Sequence, residues 1–166
     1  MIVKLTPGEM LIATTVGSAR QWQSSYKTEH TKDWTGDLWA TNIEAARSEM
    51  AVAKGLNRYW SGALRDFRLT DGAVADVGEF EVRTHVADLQ DPNYCNKLHL
   101  IIRPRDNDDA KFILVLGRRG DYILKGWMVG GDAKVLKYLR NPDGRGDAWF
   151  VPIDQLKSMD LIAETT

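Results

Sequence analysis

Apolar positions recur at helical spacing near the start of the chain and later switch to strand-like alternation, so helices are expected to precede a sheet. Thr6-Pro7-Gly8-Glu9 sets a capping hydroxyl, a proline at the first helical position and a carboxylate three residues on, ahead of Met10, Leu11, Ala13 and Val16. This pattern predicts a helix over residues 7–23. Ala45, Ala46, Val52, Ala53, Leu56 and Trp60 carry a second stripe behind a Thr41/Glu44 capping box, predicting a helix over 42–59. Between them, residues 24–40 are polar with isolated aromatics and read as a mobile loop.

Strand signals follow at 64–69, 80–84, 98–103, 112–116 and 122–129, rich in alternating, β-branched or continuous apolar residues. The last three are expected to form an antiparallel meander. Turn chemistry at Asp106-Asn107-Asp108-Asp109 and at Gly117-Arg118-Arg119-Gly120 would join them. A short helix over 133–140, the Asn141-Pro142-Asp143-Gly144 turn and a strand over 149–151 complete the reading. The expected fold is α+β, a single domain over residues 1–166 with N-terminal helices packed on a mixed or largely antiparallel sheet.

With 166 residues, the chain is long enough to bury roughly 70% of its unfolded surface in one core. The formal charge is −1, so no global field marks a nucleic-acid binder, and any such role must rest on local patches. Cys95 is the single cysteine, which excludes an internal disulfide and a cysteine-rich zinc site. No apolar run approaches the roughly 18 residues that span a bilayer, and the start lacks a secretory signal, so a cytoplasmic location is expected.

Candidate chemistry centres on carboxylates. Glu49 falls inside the apolar stripe of the second helix, where a carboxylate needs a partner, a proton or a metal. Further on, Phe80 and Val82 share one face of a strand while Glu81 and Arg83 share the other. Asp76 has the wrong parity to join Glu81 on a regular strand, but a turn or bulge at Gly78 would restore the match. Asp76, Glu81 and Glu49 would then form an oxygen cluster for a divalent cation, with Arg83 offsetting phosphate charge.

These residues resemble the PD-(D/E)xK nuclease superfamily, in which a helix-borne Glu joins a strand-borne Asp and a Glu-x-Lys triplet. Glu49-Met50-Ala51-Val52-Ala53 is similar to that helix, and Glu81-Val82-Arg83 to the triplet. The resemblance implies a restriction-endonuclease-like core and Mg2+- or Mn2+-dependent hydrolysis of DNA, with Glu49, Asp76 and Glu81 as metal ligands and Arg83 completing the catalytic set. Arg83 stands in place of lysine and the Asp76–Glu81 interval is short, which also fits a degenerate member without catalysis. A second resemblance, to small phage-encoded proteins, rests on the Asp-Val-Gly run, the Lys-Gly-Trp segment near Trp127 and a late Phe-Val-Pro. It implies cytoplasmic action in a host cell.

Plainer readings stand beside these. Glu81 and Arg83 fit the solvated face of an ordinary strand, and Glu49 fits an interior ion pair with an arginine such as Arg83. Arg119-Gly120-Asp121 is read as a turn, and the Asp106–Asp109 run lacks the pattern of a calcium loop. Trp60 and Trp127 suit core positions, whereas Trp22, Trp34 and Trp39 suit an exposed surface. Basic pairs at Arg103/Arg105 and Arg118/Arg119, with Lys134, Lys137 and Arg140, could track phosphates. The alternative function is therefore a non-catalytic phage accessory protein that binds DNA or a host protein.

Overall fold

Each residue from Phe112 to Leu116 is apolar and buried, which requires a strand covered on both faces. A computed structural model of the protein, which describes residues 1–25, 37–64, 75–142, 144 and 146–163, shows how that cover is built. The described chain is a single α+β unit. In order it runs β1 (Ile2–Lys4), α1 (Pro7–Ser25), α2 (Leu38–Gly55), β2 (Phe80–Val86), α3 (Pro92–Cys95), β3 (His99–Ile102), β4 (Lys111–Arg118), β5 (Asp121–Val129), α4 (Gly130–Ala133), β6 (Leu139–Arg140), β7 (Ala148–Pro152) and α5 (Asp160–Ala163). Short 3-10 turns at Leu136–Tyr138 and Ile153–Gln155 bracket the β6–β7 segment.

Four strands form a mixed sheet in the order β1-β5-β4-β2, with β2 parallel to β4 and the other pairs antiparallel. Three more form a second, antiparallel sheet, β3-β7-β6. On one side of β4, Ile113 and Val115 join Val52, Phe80, Val82, Tyr122 and Leu124 beneath α2. On the other, Phe112, Leu114 and Leu116 meet Leu100, Ile102 and Val151 from the second sheet. The order of layers is thus helices, first sheet, second sheet. A bulge in β5, where Lys125 is skipped in the register against Leu114 and Val115, shifts side-chain parity and brings Trp127 to the helix-side core.

The first capping box forms as the sequence indicates: Thr6 N–H donates to Glu9 at 2.6 Å and Glu9 N–H to Thr6 Oγ1 at 3.3 Å. The second does not. Helix α2 starts earlier, because Asp37 accepts from Ala40 N–H at 3.1 Å and Thr41 turns its hydroxyl back onto the Asp37 carbonyl. It also ends at Gly55, ahead of Asn57 in a left-handed conformation (φ 51°). The expected loop over 24–40 therefore loses its ends to α1 and α2, and its residues 26–36 lie outside the described residues. The strand expected over 64–69 falls at 65–69 outside them as well.

Two expectations are corrected. The meander does not form, because both edges of β4 are taken by β5 and β2, leaving β3 to pair with β7 in the other layer. The helix over 133–140 is broken at Val135, whose extended backbone (ψ 150°) separates α4 from the 3-10 turn and lets both Ala133 and Tyr138 reach the second core. The three-residue strand β1 gave no periodic signal, and it is held by pairing with β5. Among the described residues, no helix is long and apolar enough to cross a membrane.

Candidate functional site

Helices α1 and α2 pack so closely at Gly17 that a Cβ there would sit 2.5 Å from Ile43 Cα. That crossing aligns polar side chains of the two helices, and it decides the environment of Glu49. Arg20, on α1, donates two hydrogen bonds to Glu49, at 2.6 and 2.9 Å, and Trp60 Nε1–H donates a third at 2.9 Å. The Arg20 Nε–H is used as well, on the Ala63 carbonyl. Both oxygens of the buried carboxylate are thus matched by donors, in the bidentate geometry that makes arginine pairs strong. One turn away, Tyr122 O–H donates to Glu44 at 2.7 Å, and Arg47 bridges Glu44 and Thr14. Burial, followed by the bond to Glu44, pushes the Tyr122 phenol well above its ordinary value.

Gly78 turns the chain as expected. Its φ is +57°, and Val77 and Phe80 exchange backbone hydrogen bonds across it at 2.9 and 3.0 Å. The reversal carries Asp76 back along β2, where its carboxylate accepts from Val82 N–H at 2.8 Å. Glu81 and Arg83 share the face opposite Phe80 and Val82. Arg83 lies over the Phe112 ring at 4.8 Å and pairs with Asp106 at 2.9 Å, with Glu81 farther away at 3.8 Å. Asp106 also accepts from Arg103 N–H, so the Asp106–Asp109 turn is tied to β2 through its carboxylate. His85, next on this face, donates to the His99 carbonyl at 2.8 Å, and burial holds its imidazole below the ordinary value.

The structure therefore brings Asp76 alongside the Glu81–Val82 stretch and joins Glu81 to Arg83, but it does not bring Glu49 to them. Glu49 belongs to the helix side of the first sheet, whereas Glu81 and Arg83 face the second sheet. Among the described residues, no group of three or more His, Cys, Asp or Glu side chains is arranged to hold a metal ion. The implied divalent cation does not fit the proposed ligand set: the Glu49 oxygens are occupied by Arg20 and Trp60, and the remaining carboxylates serve a strand amide and an arginine.

A different site emerges on the second sheet. Arg103, Arg105, Pro104, Pro142, Asp147 and Phe150 line a cleft of about 430 Å³. The Arg103 and Arg105 side chains are exposed and have no ion-pair or hydrogen-bond partner among the described residues. That contrasts with Arg20, Arg47, Arg83 and Arg118, each paired to a carboxylate. Sequence reading marks the Arg103/Arg105 pair but not Phe150, which β7 delivers from far along the chain by pairing Phe150 with Ile101. Comparison with protein-family models, curated proteins and solved structures finds no match to this chain.

Proposed function

We propose that the protein is a non-catalytic DNA-binding protein that engages phosphates through the cleft at the end of the second sheet. The observation that carries this reading is the pair of unpartnered guanidiniums, Arg103 and Arg105, beside apolar walls in one concave site. Positive side chains left without protein partners keep their capacity for anions, and arginine suits phosphate because its planar fork donates two parallel hydrogen bonds. A phage-encoded accessory role, as the second sequence resemblance implies, is compatible with this activity. Hydrolysis finds less support, since Glu49 is spent on Arg20 and lies across the sheet from Glu81.

The test compares wild type with an Arg103→Ala/Arg105→Ala double variant by fluorescence anisotropy on labelled DNA across a salt series. Binding that weakens in the variant, with a log–log salt slope shallower by about 1.4 to 1.8, is the expected result for two lost phosphate contacts. In parallel, wild type should leave supercoiled DNA intact with manganese. Nicking that is abolished in folded Asp76→Asn and Glu81→Gln proteins would establish the enzyme instead. Absence of any DNA binding would turn attention to a protein partner.

A further inference from the structure

The second sheet buries one face in the core and leaves its other face half-buried among the described residues. Leu100, Ile102 and Val151 point into the core against β4. By alternation, His99, Ile101 and Phe150 occupy the other face, with Arg103 continuing the same parity just past the end of β3. Arg140 joins them from β6, where it lies opposite Ala148. Neither Ile101 nor Phe150 belongs to either core cluster. The Phe150 ring meets His99 in an edge-to-face arrangement, with centroids 6.2 Å apart and planes at 74°.

From this arrangement we infer that the outer face of the β3-β7-β6 sheet, where the cleft reaches Phe150, is a platform for single-stranded nucleic acid, on which a base stacks against Phe150 while Arg103, Arg105 and Arg140 take the flanking phosphates. The inference rests on the DNA-binding reading and specifies its ligand. An aromatic ring on a sheet, edged by arginines, supplies both contacts that an unpaired strand requires, a π-face for the base and cations for the backbone. A duplex offers the ring a base face only after a step is unstacked, at a cost in stacking energy, whereas an unpaired strand offers one without that cost. Pro104 and Pro142 wall the cleft with apolar surface that suits a base edge. Among the described lining residues two guanidiniums, Arg103 and Arg105, stand against one carboxylate, Asp147, so the balance of charge there favours an anionic backbone.

The experiment measures anisotropy of a labelled oligothymidylate of about 12 nucleotides and of a matched duplex, with wild type, Phe150→Leu and Phe150→Tyr. Single-strand affinity is expected to fall by at least about 5-fold in Phe150→Leu, to persist in Phe150→Tyr, and duplex binding to be unchanged in both. On wild type itself, ring-proton resonances of Phe150 and His99 should move upfield when the oligonucleotide is added, a readout independent of whether any variant folds. Single-strand binding with unmoved rings, or binding indifferent to Phe150→Leu, would overturn the platform while leaving DNA binding intact. A preference for duplex would do the same. Loss of all DNA binding, or equal competition by polyglutamate, would overturn the DNA-binding reading along with it.

Discussion

Arg20 and Glu49, from neighbouring helices, form a two-pronged ion pair at 2.6 and 2.9 Å, with 17% and 7% of their side-chain surfaces exposed. The pair explains a carboxylate at an apolar helical position without any metal. Replacing one partner leaves the other as a nearly buried charge, and the cost of that is far larger than the net worth of the pair. Glu49→Gln should therefore destabilise the protein by roughly 3 kcal/mol in metal-free buffer, measured by urea unfolding. Wild type should show no thermal shift on adding manganese. A stable Glu49→Gln protein together with a manganese-dependent shift in wild type would return Glu49 to the ligand role.

Arg83 tests the nuclease resemblance from the other side. Substituting the lysine of the motif, Arg83→Lys, should not create manganese-dependent DNA cleavage. It should cost about 1 kcal/mol, because an ammonium loses the guanidinium's contact over the Phe112 ring and its 2.9 Å approach to Asp106. Cleavage appearing in this variant would show that a catalytic site had been one substitution away.

Gly17 offers a packing test with opposing contributions. Alanine is intrinsically better in a helix by about 1 kcal/mol, so on propensity alone Gly17→Ala would stabilise α1. The space for its methyl is occupied by the backbone of Ile43 and Asn42. Forcing the helices apart should reverse the sign and destabilise by about 1 to 3 kcal/mol. Because Arg20 lies one turn further along α1, the same variant should also weaken the Arg20–Glu49 pair, which a double-mutant cycle would report as coupling.

His85 gives a pH dependence. Burial depresses its folded-state value below the ordinary 6.5, against the opposing effect of its bond to the His99 carbonyl. As pH falls through 6.5, the unfolded chain takes up a proton that the folded protein refuses, so stability declines on acidification and is regained above that value. Urea unfolding between about pH 5.5 and 7.5 should show this rise, and His85→Gln should flatten it. An unchanged slope in the variant would assign the dependence to other groups.

What the sequence determined by itself was the part governed by nearest neighbours. The Thr6–Glu9 cap, the turn at Gly78 and the strand character of residues 80–84, 112–116 and 122–129 depend on contacts within a few positions, and so they are legible from spacing. The buried location of Glu49 was legible too, from the stripe around it. Its partner was not: Arg20 lies 29 residues away, and only the close crossing of α1 and α2 at Gly17 brings the two together. Similarly, the apolar run of β4 announced burial but not which strands would cover its edges. Pairing β2 parallel to β4 displaced β3 into a second sheet, placed Glu81 across the first sheet from Glu49, and gathered Arg103, Arg105 and Phe150 around one cleft. Those outcomes belong to the tertiary structure because hydrogen bonding and burial are satisfied equally well, strand by strand, by several pairings; the simultaneous filling of both faces of β4 selects among them.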